Sequence, residues 1–169
     1  MGRTGRWWYD ANVSKLLGTM ITTTSYGTWL PGDVRGYVER GVILGGNPKL
    51  LEQSTQLLSL SPVFFDTPEQ EKLHLALVVA AKEFSYHLHA VSIESWHAHW
   101  VIAHDRDGVA TMVGRLKTRM RQVLDRGRIW TSGYDKRFCF DRKDLDARID
   151  YVQRHAGHRP IKRESAPTP

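Results

Sequence analysis

The 169-residue sequence predicts an α+β domain, with an antiparallel sheet and helices packed on one face. Two observations carry that expectation. Strand-like and helix-like segments follow one another in the order β, α, β, β, α, β, α. The helical segments are also amphipathic, with one apolar stripe each, so that each has a single face to bury. Hydrophobic residues make up 41% and charged residues 25%, ordinary for a globular chain and too apolar for wholesale disorder. No internal repeat is visible.

Residues 1–17 are polar and aromatic, with Trp7, Trp8 and Tyr9, and read as an arm or short helix. Gly18–Tyr26 is rich in Thr and reads as the first strand. Gly27–Gly36 (GTWLPGDVRG) is turn chemistry centred on Pro31-Gly32-Asp33. From Tyr37 to Thr67 no period holds, which predicts a long excursion with short helical turns. Thr67-Pro68-Glu69 has the form of a helix start, and the helix is expected to run to about Tyr86 with Leu73, Leu77, Ala80 and Phe84 inward. Leu88–Ser95 and His97–His104 alternate like strands. Val109–Arg126 is a second helix, with Val109, Val113, Leu116, Met120 and Val123 facing the core. A short strand falls within Ile129–Phe140, and Asp141 caps a last helix ending at Gly157. The division expected is an arm over 1–18, one domain over 19–160 with the excursion 37–67, and a disordered tail over 161–169.

Charge is uneven. The chain carries 24 Lys and Arg against 18 Asp and Glu, a net +6; residues 1–110 hold 9 basic and 11 acidic side chains, residues 111–169 hold 15 and 7. A basic C-terminal third points to a polyanion, either nucleic acid or an anionic membrane surface. The longest wholly apolar run, Leu75–Ala81, is far too short to span a bilayer. The N-terminal residues show no secretory signal, and a lone cysteine, Cys139, excludes an intramolecular disulfide framework. A cytoplasmic protein without a membrane partner is expected.

Two His-x-His units stand out, His87-Leu88-His89 and His97-Ala98-His99. His87 falls where the first long helix ends, a place suited to capping carbonyls. His97 and His99 lie within a strand, where alternation puts both imidazoles on one face and Ala98, Trp100 and Ile102 on the other. Two imidazoles so spaced can reach a single ion, or can simply be exposed strand histidines. In the last helix Leu145, Ile149, Val152 and Ala156 form the apolar stripe. Tyr151 lies beside it, and His155 follows one turn on, on the same face. The pair is either a nucleophile with a metal ligand or an amphipathic shoulder residue with a C-terminal cap. His158 is a further candidate whose direction depends on how the chain leaves the helix.

In combination these features resemble the HUH single-tyrosine transposases, which include the REP-associated tyrosine transposases and their insertion-sequence relatives. The resemblance rests on His97-Ala98-His99, the basic helix VGRLKTRMRQVL, the segment Trp130-Thr131-Ser132-Gly133-Tyr134, and Tyr151 with a polar ligand four residues on. The opening ITTTSYGTWLPGDVRG is similar to one branch of the group. The likeness spans about Thr19 to His158, missing mainly residues 37–67. Two departures mark this chain: the position after the tyrosine is usually an amide and here is His155, and Ser95-Trp96 stands where Pro-Asn is common.

The resemblance implies a ferredoxin-like, RRM-like sheet of the HUH-nuclease type. It implies a divalent metal, Mg²⁺ or Mn²⁺, on His97, His99 and His155, with Tyr151 attacking a phosphodiester of single-stranded DNA to leave a 5′-phosphotyrosine and a free 3′-OH. Arg115, Lys117, Arg119 and Arg121 are the candidate contacts to the backbone of single-stranded or hairpin DNA, flanking the site. Trp96 is a candidate stacking surface, and Trp100 by parity belongs to the core. Monomer and homodimer both stay open. Two other readings of the same residues are a module that binds hairpin nucleic acid without cutting it, and a metal-dependent phosphohydrolase that activates water.

Overall fold

Alternation along the first strand, β1 (Gly18–Thr24), sends Met20 and Ile21 to opposite sides of the sheet, and each joins a different apolar cluster. That division organises the computed structural model, which describes residues 15–39 and 42–155. After β1 come a short hairpin, β2 (Tyr37–Glu39) and β3 (Val42–Leu44), and the helices α1 (Pro48–Gln56) and α2 (Thr67–Glu83). Strands β4 (His87–Ile93) and β5 (His97–Ala103), helix α3 (Val109–Leu124), strand β6 (Asp135–Cys139) and helix α4 (Arg142–Gln153) complete the chain. The main sheet is antiparallel throughout, in the order β4-β5-β1-β6. The fold is thus α+β, as expected, with a four-stranded antiparallel sheet.

One face of the sheet carries Ile21, Val91, Ile93, Ala98, Trp100 and Ile102, covered by Leu73, Leu77 and Ala80 of α2 and by Met112, Val113, Leu116 and Met120 of α3. Trp100 is wholly buried there, as its parity predicts. Each such Leu, Ile or Met contributes about 1.5–3 kcal/mol by leaving water. The opposite face carries Met20, Ala90 and Val101 and is covered by Leu145, Ile149 and Val152 of α4. Helices on a single face is therefore the part of the expectation that needs correction. Only α2 and α3 share a face; α4 crosses to the other, the face of His97 and His99. The reason is the end of β6: Asp141 caps α4 two residues after Cys139, with Asp144 N–H donating to its side chain at 2.8 Å. So short a turn lays the helix back over the strands on the side of Cys139 and Met20.

The helix boundaries follow local chemistry. Asp66, not Thr67, caps α2, in a reciprocal box with Glu69. The helix stops at Glu83 rather than near Tyr86 because Ser85 turns left-handed (φ 58°), with Ser85 N–H donating to Lys82 O and Tyr86 N–H to Ala81 O. This is a Schellman close. In α3 Val123 is exposed and Met112 takes the core place. The excursion is more ordered than expected: Asn47 caps α1, and Gly32 (φ 91°) packs so closely on its first turn that a methyl group would meet the Leu51 nitrogen and the Asn47 carbonyl. Gly18 pairs with Cys139 within the sheet, so β1 begins at the residue where the first strand is expected, the last of the segment set apart as an arm. Residues 1–14 of that arm, Ala156, Gly157, His158 and the tail 161–169 lie outside the described residues. Among the described residues no helix is long and apolar enough to cross a membrane.

Candidate metal and tyrosine site

The β5 alternation points His97 and His99 to the face that α4 covers, opposite Trp100. Antiparallel register places Thr24 beside His97 and Thr22 beside His99 on β1, and Ser92 beside His99 on β4. Docking of Leu145, Ile149 and Val152 fixes the rotation of α4, and with it the shoulder that carries Tyr151 and leads into His155. The ring centroids of His97 and His99 are 4.7 Å apart, those of His99 and His155 4.5 Å, and those of His97 and His155 5.8 Å. One ligand-capable atom from each of the three lies within 4.8 Å of the others. The Tyr151 ring is 4.6 Å from that of His155 and 5.7 Å from that of His99, and the residue is 43% exposed. Tyr151 thus lies against the histidines of its own chain.

The donor set suits a divalent ion. His99 is only 5% exposed, and its Nδ1 is 2.8 Å from Thr22 Oγ1, which leaves Nε2 for another partner. His155 Nδ1 donates to the Tyr151 carbonyl at 3.3 Å, so its Nε2 carries the lone pair. Among the described residues His97 Nδ1 is buried with no hydrogen-bond partner, as befits a polar atom left for a bound group. Burial, then the charge of His155 and that of Arg35, hold the His97 pKa down to about 4. Burial, then His97 and His155, hold that of His99 down to about 3. Both rings are neutral at neutral pH, the form that ligates. Three imidazoles, with room left for oxygen ligands, fit Mn²⁺ and the metals to its right in the affinity series better than a hard, all-oxygen Mg²⁺ site.

The basic helix is placed differently from the expectation. α3 packs on the face away from the histidines, so its cations do not flank the site. Arg115 is paired with Asp107 at 2.6 Å and stacks over Phe84, and Arg119 is paired with Glu83 at 2.5 Å. Lys117 turns inward, donating from Nζ to the Thr131 and Gly133 carbonyls at 2.7 and 3.1 Å, and burial lowers its pKa to about 8. It anchors the Trp130–Tyr134 segment. Arg121 alone of the four is exposed with no partner among the described residues. The other His-x-His unit is also elsewhere: His87 opens β4 rather than capping a helix, and His89 sits in its bulge. Cys139 is buried in the α4 cluster, a packed residue.

Three neighbours of the histidines were not singled out from the sequence. Thr22 and Ser92 are disclosed only by strand register, which composition does not reveal. Arg35 lies in the GTWLPGDVRG turn, whose glycines and proline were visible while the direction of its arginine was not.

No protein-family model matches the chain, and no curated protein does. Among solved structures, the chain is similar to a REP-associated tyrosine transposase bound to a REP hairpin, with 15% identity, 90% of this chain and 70% of that chain covered, and a TM-score of 0.48. It is similar as well to a protein of Deinococcus radiodurans R1 provisionally described as a transposase, with 12% identity, 90% and 96% of the two chains covered, and a TM-score of 0.45.

Proposed function

We propose that the chain is a metal-dependent endonuclease and strand transferase for single-stranded DNA, working through a covalent bond to Tyr151. The observation that carries this reading is the accessible Tyr151 ring beside three converging imidazoles, two of them held neutral by burial. A tyrosine on a helix shoulder needs no such neighbours; a nucleophile that must meet a polarised phosphate does. His97, His99 and His155 would hold the divalent ion, Mn²⁺ or Mg²⁺, which would supply Lewis-acid polarisation of a phosphate oxygen.

The residues of the chain then divide the remaining work. Thr22 orients His99, and the packing of Leu145, Ile149 and Val152 holds α4 so that Tyr151 meets the phosphate from the open side. The Tyr151 Oη–phosphorus bond forms as the phosphorus–O3′ bond breaks; the phenolic proton leaves to solvent and the departing 3′ oxygen takes one up. The products are a 5′-phosphotyrosine and a free 3′-OH. The phosphodiester energy stays in the covalent link, so a 3′-OH from another strand can reverse the step and join DNA without ATP. Hairpin DNA is the partner that the sequence resemblance implies, with Arg121 available for a contact on the far face of the sheet.

Incubation with single-stranded DNA bearing a hairpin, with Mn²⁺, tests the reading. Wild-type protein is expected to yield a protein–DNA band stable to SDS, and Tyr151→Phe to yield none. Binding without cleavage by both proteins would leave a recognition module. Cleavage by both with no adduct would leave a phosphohydrolase that activates water.

A further inference from the structure

A cleft of about 280 Å³ opens along the β1 residues Thr22–Thr24, one strand over from His97 and His99. Its floor includes Thr22 and Thr24, the cross-strand partners of His99 and His97, and its walls include Trp29, Tyr37, Tyr134 and Asp135. Three aromatic rings around one opening match a flat ligand, and the Asp135 carboxylate, paired with Arg137 at 3.0 Å, gives the opening a polar edge. At the same end, Arg35 is fixed in place. Its Nε and Nη2 donate to the two carboxylate oxygens of Asp33 at 2.8 and 2.5 Å, and Nη2 also donates to the Thr28 carbonyl at 2.7 Å. The guanidinium carbon lies 4.4 Å from the Trp96 ring centroid and 5.4 Å from that of Trp29. Trp96 in turn lies 4.1 Å from the His97 ring. Among the described residues the Nη1 group has no hydrogen-bond partner, and the side chain is 42% exposed. The Trp29 indole is held by its own bond from Nε1 to the Gly36 carbonyl at 2.6 Å.

We infer that this cleft is a single-nucleotide subsite: an unstacked base enters between Trp29, Tyr37 and Tyr134, and the free edge of Arg35 holds the phosphate beside it. The inference rests on the reading of the chain as an enzyme of single-stranded DNA, and it names where that strand lies. A stacked duplex cannot offer a lone base to such a cleft, whereas a single strand offers one at little cost. A cation already fixed by Asp33 and two indole rings loses little freedom on meeting a phosphate. The α3 arginines, paired and on the other face, are not needed for this contact.

The test is binding of a fluorescent single-stranded 12-mer with the metal chelated, so that cleavage plays no part. In wild type, one abasic position in the oligonucleotide is expected to weaken binding about tenfold or more, with little effect at the others. In Trp29→Leu that same position is expected to lose its effect. Arg35→Ala is expected to lower the slope of log affinity against log salt by about 0.7, the share of one phosphate, and Arg35→Lys to keep the slope while binding more weakly. A flat abasic scan in wild type overturns the subsite whatever the variants do, and so does an unchanged salt slope in a folded Arg35→Ala. Absence of any binding by wild type overturns the proposed function itself.

Discussion

Thr22 Oγ1 lies 2.8 Å from His99 Nδ1, so a β1 hydroxyl occupies one nitrogen of a β5 imidazole and orients the ring. Outer-shell partners of this kind typically govern metal affinity by tenfold to a hundredfold. Thr22→Val keeps the shape and removes the hydroxyl. It is expected to weaken Mn²⁺ binding by about tenfold or more in calorimetry while leaving the thermal midpoint of the metal-free protein nearly unchanged.

His97 and His99 differ from Tyr151 in what their loss should do. His97→Ala is expected to abolish Mn²⁺ binding and adduct formation while changing affinity for single-stranded DNA in chelator by less than about threefold, because phosphate contacts supply most of that affinity. An unchanged metal titration would remove His97 from the ligand set. Tyr151→Phe should lose the adduct as well but keep the metal.

Acid sensitivity follows from the same two histidines. Their folded-state pKa values, about 4 and 3, lie below the ordinary 6.5 that they regain on unfolding. Between pH 6.5 and about 4 the unfolded chain therefore binds more protons than the folded one, and stability falls as pH falls through that window. Below about 3 this contribution no longer changes. Urea midpoints of metal-free protein should drop from pH 7 to pH 4, and His97→Gln/His99→Gln should flatten that part of the profile. Parallel profiles for the two proteins would contradict the burial account.

Lys117 separates a structural from a recognition role. Its Nζ is spent on the Thr131 and Gly133 carbonyls, so Lys117→Met leaves the Thr131 carbonyl without its donor and the Gly133 carbonyl with only the Thr23 hydroxyl at 3.4 Å, and should destabilise the fold by about 1–3 kcal/mol in denaturant titration. The salt dependence of DNA binding should stay as in wild type. A slope lowered by about 0.7 with stability unchanged would instead make Lys117 a phosphate contact.

Docking of α4 is the element on which the site depends. Leu145 is buried against the sheet, and Leu145→Ala should cost about 2–5 kcal/mol. Because Tyr151 and His155 follow it on the same segment, about two and three turns on, adduct formation should fall more steeply than Mn²⁺ binding by His97 and His99.

How far the sequence discloses this arrangement can be traced residue by residue. The parity of WHAHWVIA separates His97 and His99 from Trp100 because period two is a property of the strand alone. The i,i+4 relation of Tyr151 and His155 is likewise internal to one helix. What lies between elements is not written in either period. That α4 crosses the sheet, while α3 stays behind it, follows from the short link between Cys139 and Asp141 and from which side Leu145 finds Met20. The basic residues of α3 show the same limit. Spacing gathers them on one helix, but only the fold shows Arg115 and Arg119 satisfied by Asp107 and Glu83. The order within residues 37–67 escaped periodicity because its helix has nine residues and its strands three each, too short for a repeat to accumulate.

The central claim concerns one atom, the Tyr151 Oη, and the polarity of the bond it forms. Single-stranded hairpin DNA labelled separately at its 5′ and 3′ ends, incubated with Mn²⁺ and digested with protease, reports both. The account predicts that the label 3′ to the cut stays with the peptide containing Tyr151, while the 5′ fragment leaves with a free 3′-OH. Label on another residue, label from the 5′ fragment, or cleavage with neither retained would contradict it.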